Sequence, residues 1–203
     1  DLEAGQNVLG YALSPDAATL ALLVEEEGVQ KLLLRNMGNG LVTETSVTGG
    51  FVTDQYDRFD LELPIVWSPN GEQIAMVIYK DYHEQLAFYK VKEDQATYRI
   101  PGKKLDYINS MSWSHDGKQL AAAALNGGLM DLYLFNPGAN GFKVLTEDLF
   151  ENHHPVWSLD DQRNNIDTTR IHHRHTNPDF KFECYQSDPG GRHQQLRTVD
   201  ADE

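Results

Sequence analysis

The chain has 203 residues, 40% of them hydrophobic, with a formal net charge of −14 and one cysteine. This acidity disfavours nucleic-acid binding, because phosphate backbones are bound by lysine and arginine side chains gathered on one face. A single cysteine excludes an internal disulfide, and no apolar run approaches the roughly 20 residues of a membrane-spanning helix, so no membrane insertion is expected.

One short motif occurs four times along the chain. Its clearest copies are residues 67–71, Trp-Ser-Pro-Asn-Gly, and residues 113–117, Trp-Ser-His-Asp-Gly. Residues 13–17 and 157–161 are divergent copies, and the four serines are separated by 54, 46 and 44 residues. A period in this range indicates a repeat architecture.

Each copy predicts a strand, a tight turn and a second strand. Asn70-Gly71 and Asp116-Gly117 supply the positive φ of a hairpin turn, and apolar runs flank both pairs. The run after each turn is apolar at consecutive positions, which indicates a strand buried on both faces. A third strand and a more polar fourth follow, as in 130–135 and 142–146. Four antiparallel strands at this spacing predict an all-β chain built from β-propeller blades.

We expect a single domain over residues 1–203, as a propeller or as part of a larger one. The four blades are placed at about 1–57, 60–104, 105–148 and 153–200. In the first blade Ala17 replaces the turn glycine, at a cost of about 1 kcal/mol if the turn keeps a positive φ. Residues 49–60 form a longer connection rich in aromatic and acidic residues. This connection is either functional or packed over the blade edge.

The third and fourth blades differ at their second strand. Ala121 to Ala124 suit a crowded position between closely packed sheets. In the fourth copy, residues 164–167, Asn-Asn-Ile-Asp, stand where the third has apolar residues, and buried polar groups need partners. Either this degenerate blade is an exposed end of an open array, which we favour, or its second strand is irregular. A third strand is expected over 179–185.

The repeat resembles the WD-like repeats of the TolB propeller family. The residues that carry the resemblance are the Trp-Ser-Pro-Asp-Gly-like turn, the apolar strand, Asp-Leu-Tyr-Leu at 131–134 and the closing Leu-Thr at 145–146. The second blade lacks the closing pair, and the first lacks the tryptophan and the glycine. The resemblance implies a propeller that binds a protein or peptide, in a bacterial periplasmic or envelope setting. The same pattern occurs in the propeller that covers the active site of prolyl oligopeptidase-type enzymes.

No motif for catalysis or for a cofactor is visible in the sequence. It contains no Gly-x-Ser-x-Gly elbow, no His-Glu-x-x-His, no phosphate-binding glycine loop and no Cys-x-x-Cys pair. The cluster His172-His173-Arg174-His175 offers two histidines on one face of a strand, without a carboxylate or cysteine to complete a metal site. We therefore expect a solvated loop there, no metal, no cofactor and no catalytic residue.

Topology predicts one end of the blades as the binding surface. In a four-strand meander the loops after the second and fourth strands lie at the same end, and aromatic and histidine side chains beside carboxylates are typical contact residues. The predicted contact residues are Phe59, Asp60, Asp81, Tyr82, His83, Asp106, Tyr107, Glu151, His153 and His154.

The sequence therefore favours a non-catalytic module that binds or scaffolds a protein or peptide partner. The alternative is the gating propeller of a prolyl oligopeptidase-type serine peptidase whose catalytic domain lies outside this chain. The tryptophans at 67, 113 and 157 are predicted to occupy one equivalent, buried position in three blades. The oligomeric state is left open.

Overall fold

The structure is a computed structural model. It describes residues 5–51, 63–81, 83–99, 105–139, 141–147, 151–157, 166–171, 185–187 and 193–195. All regular elements in these ranges are β-strands, and three four-stranded antiparallel sheets account for most of them. The all-β expectation is confirmed.

Two compact units divide the chain at residue 101. The first unit contains two sheets, each a meander of four strands in chain order. The first sheet consists of β1 (Gln6–Leu13), β2 (Thr19–Glu26), β3 (Val29–Asn36) and β4 (Val42–Phe51). The second sheet consists of β5 (Ile65–Trp67), β6 (Gln73–Lys80), β7 (His83–Lys90) and β8 (Gln95–Arg99).

The second unit, residues 102–203, contains the third sheet and the fourth copy of the repeat. The third sheet consists of β9 (Tyr107–Trp113), β10 (Leu120–Asn126), β11 (Leu129–Phe135) and β12 (Phe142–Val144). The fourth copy forms two separate pairs, β13 (Glu151–Trp157) with β14 (Ile166–Ile171), and β15 (Tyr185–Ser187) with β16 (His193–Gln195). A second strand thus exists in the degenerate copy, although Asn164 and Asn165 fall outside the described residues. Most of the third strand expected over 179–185 falls outside them too.

The serine motif forms the same turn in the first three copies. The serine N–H donates to the carbonyl of the residue five positions later, at 2.8, 2.8 and 2.9 Å in the three copies. Gly71 and Gly117 have φ of 70° and 68°, and Ala17 takes the same conformation at 57°. The connections span five, five and six residues, each with a positive φ at its fourth position only. Asn70 and Asp116 are therefore not at positive φ, unlike the two-residue hairpin that an Asn-Gly pair favours.

The core of the first unit lies between its two sheets. Ala21, Leu23, Leu32 and Val47 of the first sheet pack with Ile65, Ile74, Met76, Ile78, Ala87 and Tyr89 of the second. Polar contacts link the same two sheets, because Ser46 donates from its N–H to Asp94 Oδ1 at 2.8 Å and Tyr89 donates to the same oxygen at 3.0 Å. In the second unit, Ala121 to Ala124 are fully buried, as predicted.

The three tryptophans occupy one equivalent position, the last residue of the first strand in each of their repeats. Trp113 and Trp157 are each 7% exposed, whereas Trp67 is half-buried. Trp67 Nε1 donates to Ala12 O at 3.0 Å, and Trp157 Nε1 donates to Ser112 O at 2.9 Å. Each of these two indoles therefore binds the carbonyl just before the end of the first strand of the preceding repeat. The equivalent position predicted for the tryptophans is confirmed, and so is the burial of Trp113 and Trp157, whereas Trp67 is less buried than expected.

The connection after the first sheet begins later than the sequence suggested. β4 extends to Phe51, so residues 49–51 belong to the strand, and the rest of the predicted loop lies outside the described residues. Gly49 permits this extension, because a Cβ there would lie 2.8 Å from Gln30 Cβ and 2.9 Å from Ile78 Cγ1. Neighbouring side chains occupy the place where other residue types would carry a side chain.

Candidate functional site

The hairpins after the second strands are the tightest turns of the described chain. In the first sheet two residues, Glu27 and Gly28, connect β2 to β3 with φ of 50° and 82°. In the third sheet Gly127 and Gly128 connect β10 to β11 with φ of 59° and 90°. Two consecutive positive φ values define the type I′ hairpin. These short turns leave little chain beyond the sheet, so the strand ends themselves form the surface there.

In the second sheet only part of the predicted site can be placed. Asp81 lies in the β6–β7 turn, is exposed and has a φ of 51°. His83 is the first residue of β7 and pairs with Lys80, so it belongs to a strand and not to the loop. Phe59, Asp60 and Tyr82 lie outside the described residues. Nearby, the Lys80 ammonium lies 3.9 Å from the centre of the Tyr98 ring, within the range of a cation–π contact.

In the third sheet Asp106 and Tyr107 lie beside the β10–β11 turn, as predicted. Asp106 Oδ2 accepts a hydrogen bond from Gly127 N at 2.9 Å, and Asp106 N donates to Leu125 O at 2.8 Å. The Asp106 carboxylate therefore holds the hairpin in addition to facing solvent. Tyr107 was predicted in the loop, but it is the first residue of β9 and pairs with Leu125. Its hydroxyl accepts from Asn109 Nδ2 at 3.1 Å, and its ring packs against the core of the third sheet.

The predicted loop residues Glu151, His153 and His154 are strand residues. All three lie in β13, which begins at Glu151, and His153 pairs with Thr169 of β14. The pairing register shifts between His153 and Val156, so β13 carries a bulge at this point. The placement in the fourth-strand loop was wrong because polar residues and a proline read as a loop, whereas a bulge accommodates them within a strand.

His154 is the most unusual residue of this region. It is exposed and has a φ of 51°, a conformation that is uncommon for residues other than glycine. Its N–H donates to the Ser110 hydroxyl at 3.1 Å, which ties the bulge of β13 to the middle of β9. The rings of His153 and His154 have their centres 6.1 Å apart. Backbone strain of this kind is often found at functional sites.

A cluster of buried polar side chains connects β13 to the third sheet, and the sequence analysis did not predict it. Asp131, Thr146 and Asn152 are 5%, 4% and 1% exposed. The Thr146 hydroxyl donates to Asp131 Oδ1 at 3.0 Å and accepts from Leu132 N at 2.9 Å. Asn152 Nδ2 donates to Met130 O at 3.3 Å. The closing Leu-Thr of the repeat, together with the aspartate of Asp-Leu-Tyr-Leu, is the sequence signal that could have revealed this cluster.

Neither a metal site nor a membrane-spanning helix is found in the described ranges. No group of three or more histidine, cysteine, aspartate or glutamate side chains is placed to hold a metal ion within them. No helix within these ranges is long and apolar enough to cross a bilayer. The cluster at 172–175 lies outside the described residues.

Comparison with known proteins shows the fold. No family model matches the chain, and no curated protein matches its sequence. Among solved structures, TolB from Acinetobacter baumannii matches with a TM-score of 0.63 at 17% identity, over 100% of this chain and 46% of TolB. A protein of Bacteroides ovatus assigned as a dipeptidyl aminopeptidase IV matches with a TM-score of 0.59 at 15% identity, over 84% of this chain and 33% of that protein.

A structure from a study of two prolyl endopeptidases matches with a TM-score of 0.51 at 14% identity, over 84% of this chain and 27% of that protein. The chain thus spans less than half the length of each of these three proteins. At such low identities the similarity concerns architecture, not activity. Together with the three four-stranded sheets, it shows that this chain has a TolB-like β-propeller fold.

Proposed function

We propose that the chain is a non-catalytic propeller module that binds a protein or peptide partner through the end of the third sheet and the adjacent strand β13. The observation that carries the proposal is the strained, exposed His154 beside β9. A bulge that turns a histidine outward at a conformational cost is easier to explain by contact with a partner than by packing.

The residues around His154 supply a mixed polar and aromatic surface. His154 N binds the Ser110 side chain, and Tyr107 lies three residues earlier on β9, roughly 10 Å away along the strand. Asp106 adds an exposed carboxylate at the same end of the sheet. Histidine, tyrosine and carboxylate groups can together accept and donate hydrogen bonds to an extended peptide.

The net charge suggests which partners bind. A formal charge of −14 favours a partner with lysine, arginine or amine groups and disfavours nucleic acid. The cellular setting that we propose is the bacterial periplasm or envelope, on the strength of the repeat's resemblance to the TolB family and of the structural similarity to TolB. The gating propeller of a serine peptidase remains the alternative, because peptidase structures share the fold.

The proposal can be tested by capturing partners on the immobilised chain from a periplasmic extract. The test variant combines Tyr107→Phe with His154→Asn, which remove a hydroxyl and an imidazole, and asparagine tolerates positive φ. The control is His115→Ala, at an exposed position in the turn at the opposite end of the same sheet. We expect at least a tenfold loss of the captured protein with the test variant and none with the control. Equal capture by all three folded proteins would refute the proposed surface.

A further inference from the structure

Asparagine–glycine pairs lie in turns of all three four-stranded sheets, and the proposed function assigns no role to them. They are Asn39-Gly40, Asn70-Gly71 and Asn126-Gly127, whereas the asparagine of a fourth pair, at position 140, lies outside the described residues. In the three described pairs the glycine has a positive φ, of 74°, 70° and 59°. Because glycine has no Cβ, its peptide nitrogen is unhindered and is able to attack the side-chain amide carbon of the preceding asparagine. The surroundings of each pair decide whether this reaction takes place.

The side chain of Asn70 is held by three hydrogen bonds. Its Oδ1 accepts from the Ser68 hydroxyl at 2.7 Å and from Glu72 N at 3.1 Å, and its Nδ2 donates to Glu72 Oε2 at 3.1 Å. Ser68 itself is fully buried. Ring closure between the amide carbon and Gly71 N rotates both the side chain and the backbone of the asparagine, so it would break contacts of a turn anchored in the core. The motif turn therefore protects Asn70.

Asn126 is protected in a different way. Its side chain is hydrogen-bonded to the hydroxyl of Tyr133, which is 1% exposed. Gly127 N donates to Asp106 Oδ2 at 2.9 Å. The attacking species in such a reaction is the deprotonated peptide nitrogen, and an adjacent carboxylate disfavours a second negative charge. A buried partner on the side chain and a charged partner on the nitrogen thus both oppose the reaction at Asn126.

Asn39 lies in the turn between β3 and β4, where neither form of protection is found. Residues 36–42 are all exposed. Within the described residues the Asn39 side chain makes one hydrogen bond, in which its Oδ1 accepts from Leu41 N at 3.0 Å. Gly40 N donates to Asn36 O at 2.9 Å, an uncharged acceptor in the same exposed turn. Neither of these two bonds involves a buried group or a carboxylate.

We propose that Asn39 is a site of spontaneous covalent modification by cyclisation with Gly40. Gly40 N loses its proton to solvent and attacks Asn39 Cγ. The Cγ–Nδ2 bond then breaks, and the leaving group takes up a proton and departs as ammonia, which leaves a succinimide. Water opens this ring at either carbonyl and yields aspartate or isoaspartate at position 39; asparagine is a thermolabile residue type for such reasons. The product adds a negative charge to a chain of charge −14, and isoaspartate also adds a methylene group to the backbone of the turn.

The proposal is tested by incubating the folded 203-residue chain at mildly alkaline pH. Peptide mass spectrometry follows the conversion of amide to carboxylate at positions 39, 70 and 126. We expect conversion at position 39 to be at least tenfold faster than at the other two. In concentrated urea the three rates should converge, because the pairs share the same two residues and differ only in their folded surroundings. A rate at position 70 or 126 that equals or exceeds the rate at position 39 would overturn the proposal, and so would a difference that persists unchanged in urea.

Gly40→Ala tests the cyclisation step. Its methyl group hinders attack by the peptide nitrogen, so conversion at position 39 should fall at least tenfold while positions 70 and 126 keep their rates. The turn accommodates alanine, because Ala17 of the same sheet holds a φ of 57° and no atom lies within 4 Å of a Cβ on Gly40. Conversion at position 39 that is unchanged in this variant would show direct hydrolysis of the amide and would overturn the proposed mechanism.

Discussion

The geometry of one backbone turn explains why the same residue types recur in the repeat motif. The motif serine is 7%, 0% and 4% exposed at positions 14, 68 and 114. Its hydroxyl donates to Oδ1 of the residue two positions later, at 2.6, 2.7 and 2.7 Å. It also accepts the N–H of the residue five positions later, at 2.9, 2.9 and 3.0 Å. Serine and Asp or Asn recur because they satisfy the turn's backbone groups, which is a structural and not a catalytic requirement.

The first prediction concerns the pH dependence of this turn. Hydrogen bonds from Lys118 N and the Ser114 hydroxyl lower the pKa of Asp116 from 3.8 to about 2. A carboxylate with a lowered pKa stabilises the folded state above pH 4, and the stabilisation disappears as the pH falls through about 2. Asp116→Asn keeps the geometry, since Asn70 makes the corresponding bonds. We expect the urea unfolding midpoint of the wild type to be higher than that of this variant at pH 6. Near pH 2 the two midpoints should be nearly the same. A difference in midpoint that does not change with pH would contradict the prediction.

The second prediction concerns Ala17, an alanine that holds a glycine conformation. Ala17 has a φ of 57° at the turn position where Gly71 has 70°. Ala17→Gly should raise the unfolding free energy by a few tenths to about 1 kcal/mol, because relief of strain exceeds the greater entropy of the unfolded chain. Gly71→Ala is the matched opposite and should lower it by a similar amount. Shifts of the same sign in urea unfolding would refute the equivalence of the two turns.

Strands were predictable where the pattern is local, and less so at their ends. Apolar runs after each motif correctly indicated β2, β6 and β10. The extension of β4 to Phe51 was missed, because it depends on the close approach of Gly49 to Gln30 and Ile78, which are distant in sequence. The bulge in β13 was missed for a related reason. Its Ser110 partner lies 44 residues before His154.

The third prediction tests the contact between successive first strands. Trp157→Phe keeps an aromatic ring but removes the donor to Ser112 O, so the part-buried carbonyl loses this partner. We expect a loss of about 1–3 kcal/mol in unfolding free energy. Trp113→Ala, at a site 7% exposed, should cost about 3–5 kcal/mol because it also leaves a cavity. Urea unfolding of both variants measures these losses, and a Trp157→Phe variant as stable as wild type would show that the hydrogen bond contributes nothing.

At the scale of the whole molecule, the sequence predicted the architecture better than the site. Repeats of four strands follow from the spacing between the motif copies and from the strand–turn–strand pattern around each copy. The site depends on groups that are far apart in the sequence, such as Asp106 with Gly127 and His154 with Ser110. The polar cluster has the same property in part, because the repeat pattern marks Asp131 and Thr146 but no local pattern links them to Asn152 of β13. Topology alone placed Asp106 and Tyr107 beside the β10–β11 turn, where the structure has them, but it did not give the strand positions of Tyr107, His153 and His154.

The central claim, partner binding without catalysis, is tested most directly on an array of short peptides of basic, neutral and acidic sequence. The array is probed with the chain at low and at physiological salt, and then analysed for peptide cleavage. We expect retention on basic peptides that weakens as salt shortens the screening length to about 8 Å, with every peptide left intact. Cleaved peptides, or retention that is strongest on acidic peptides and indifferent to salt, would contradict the claim.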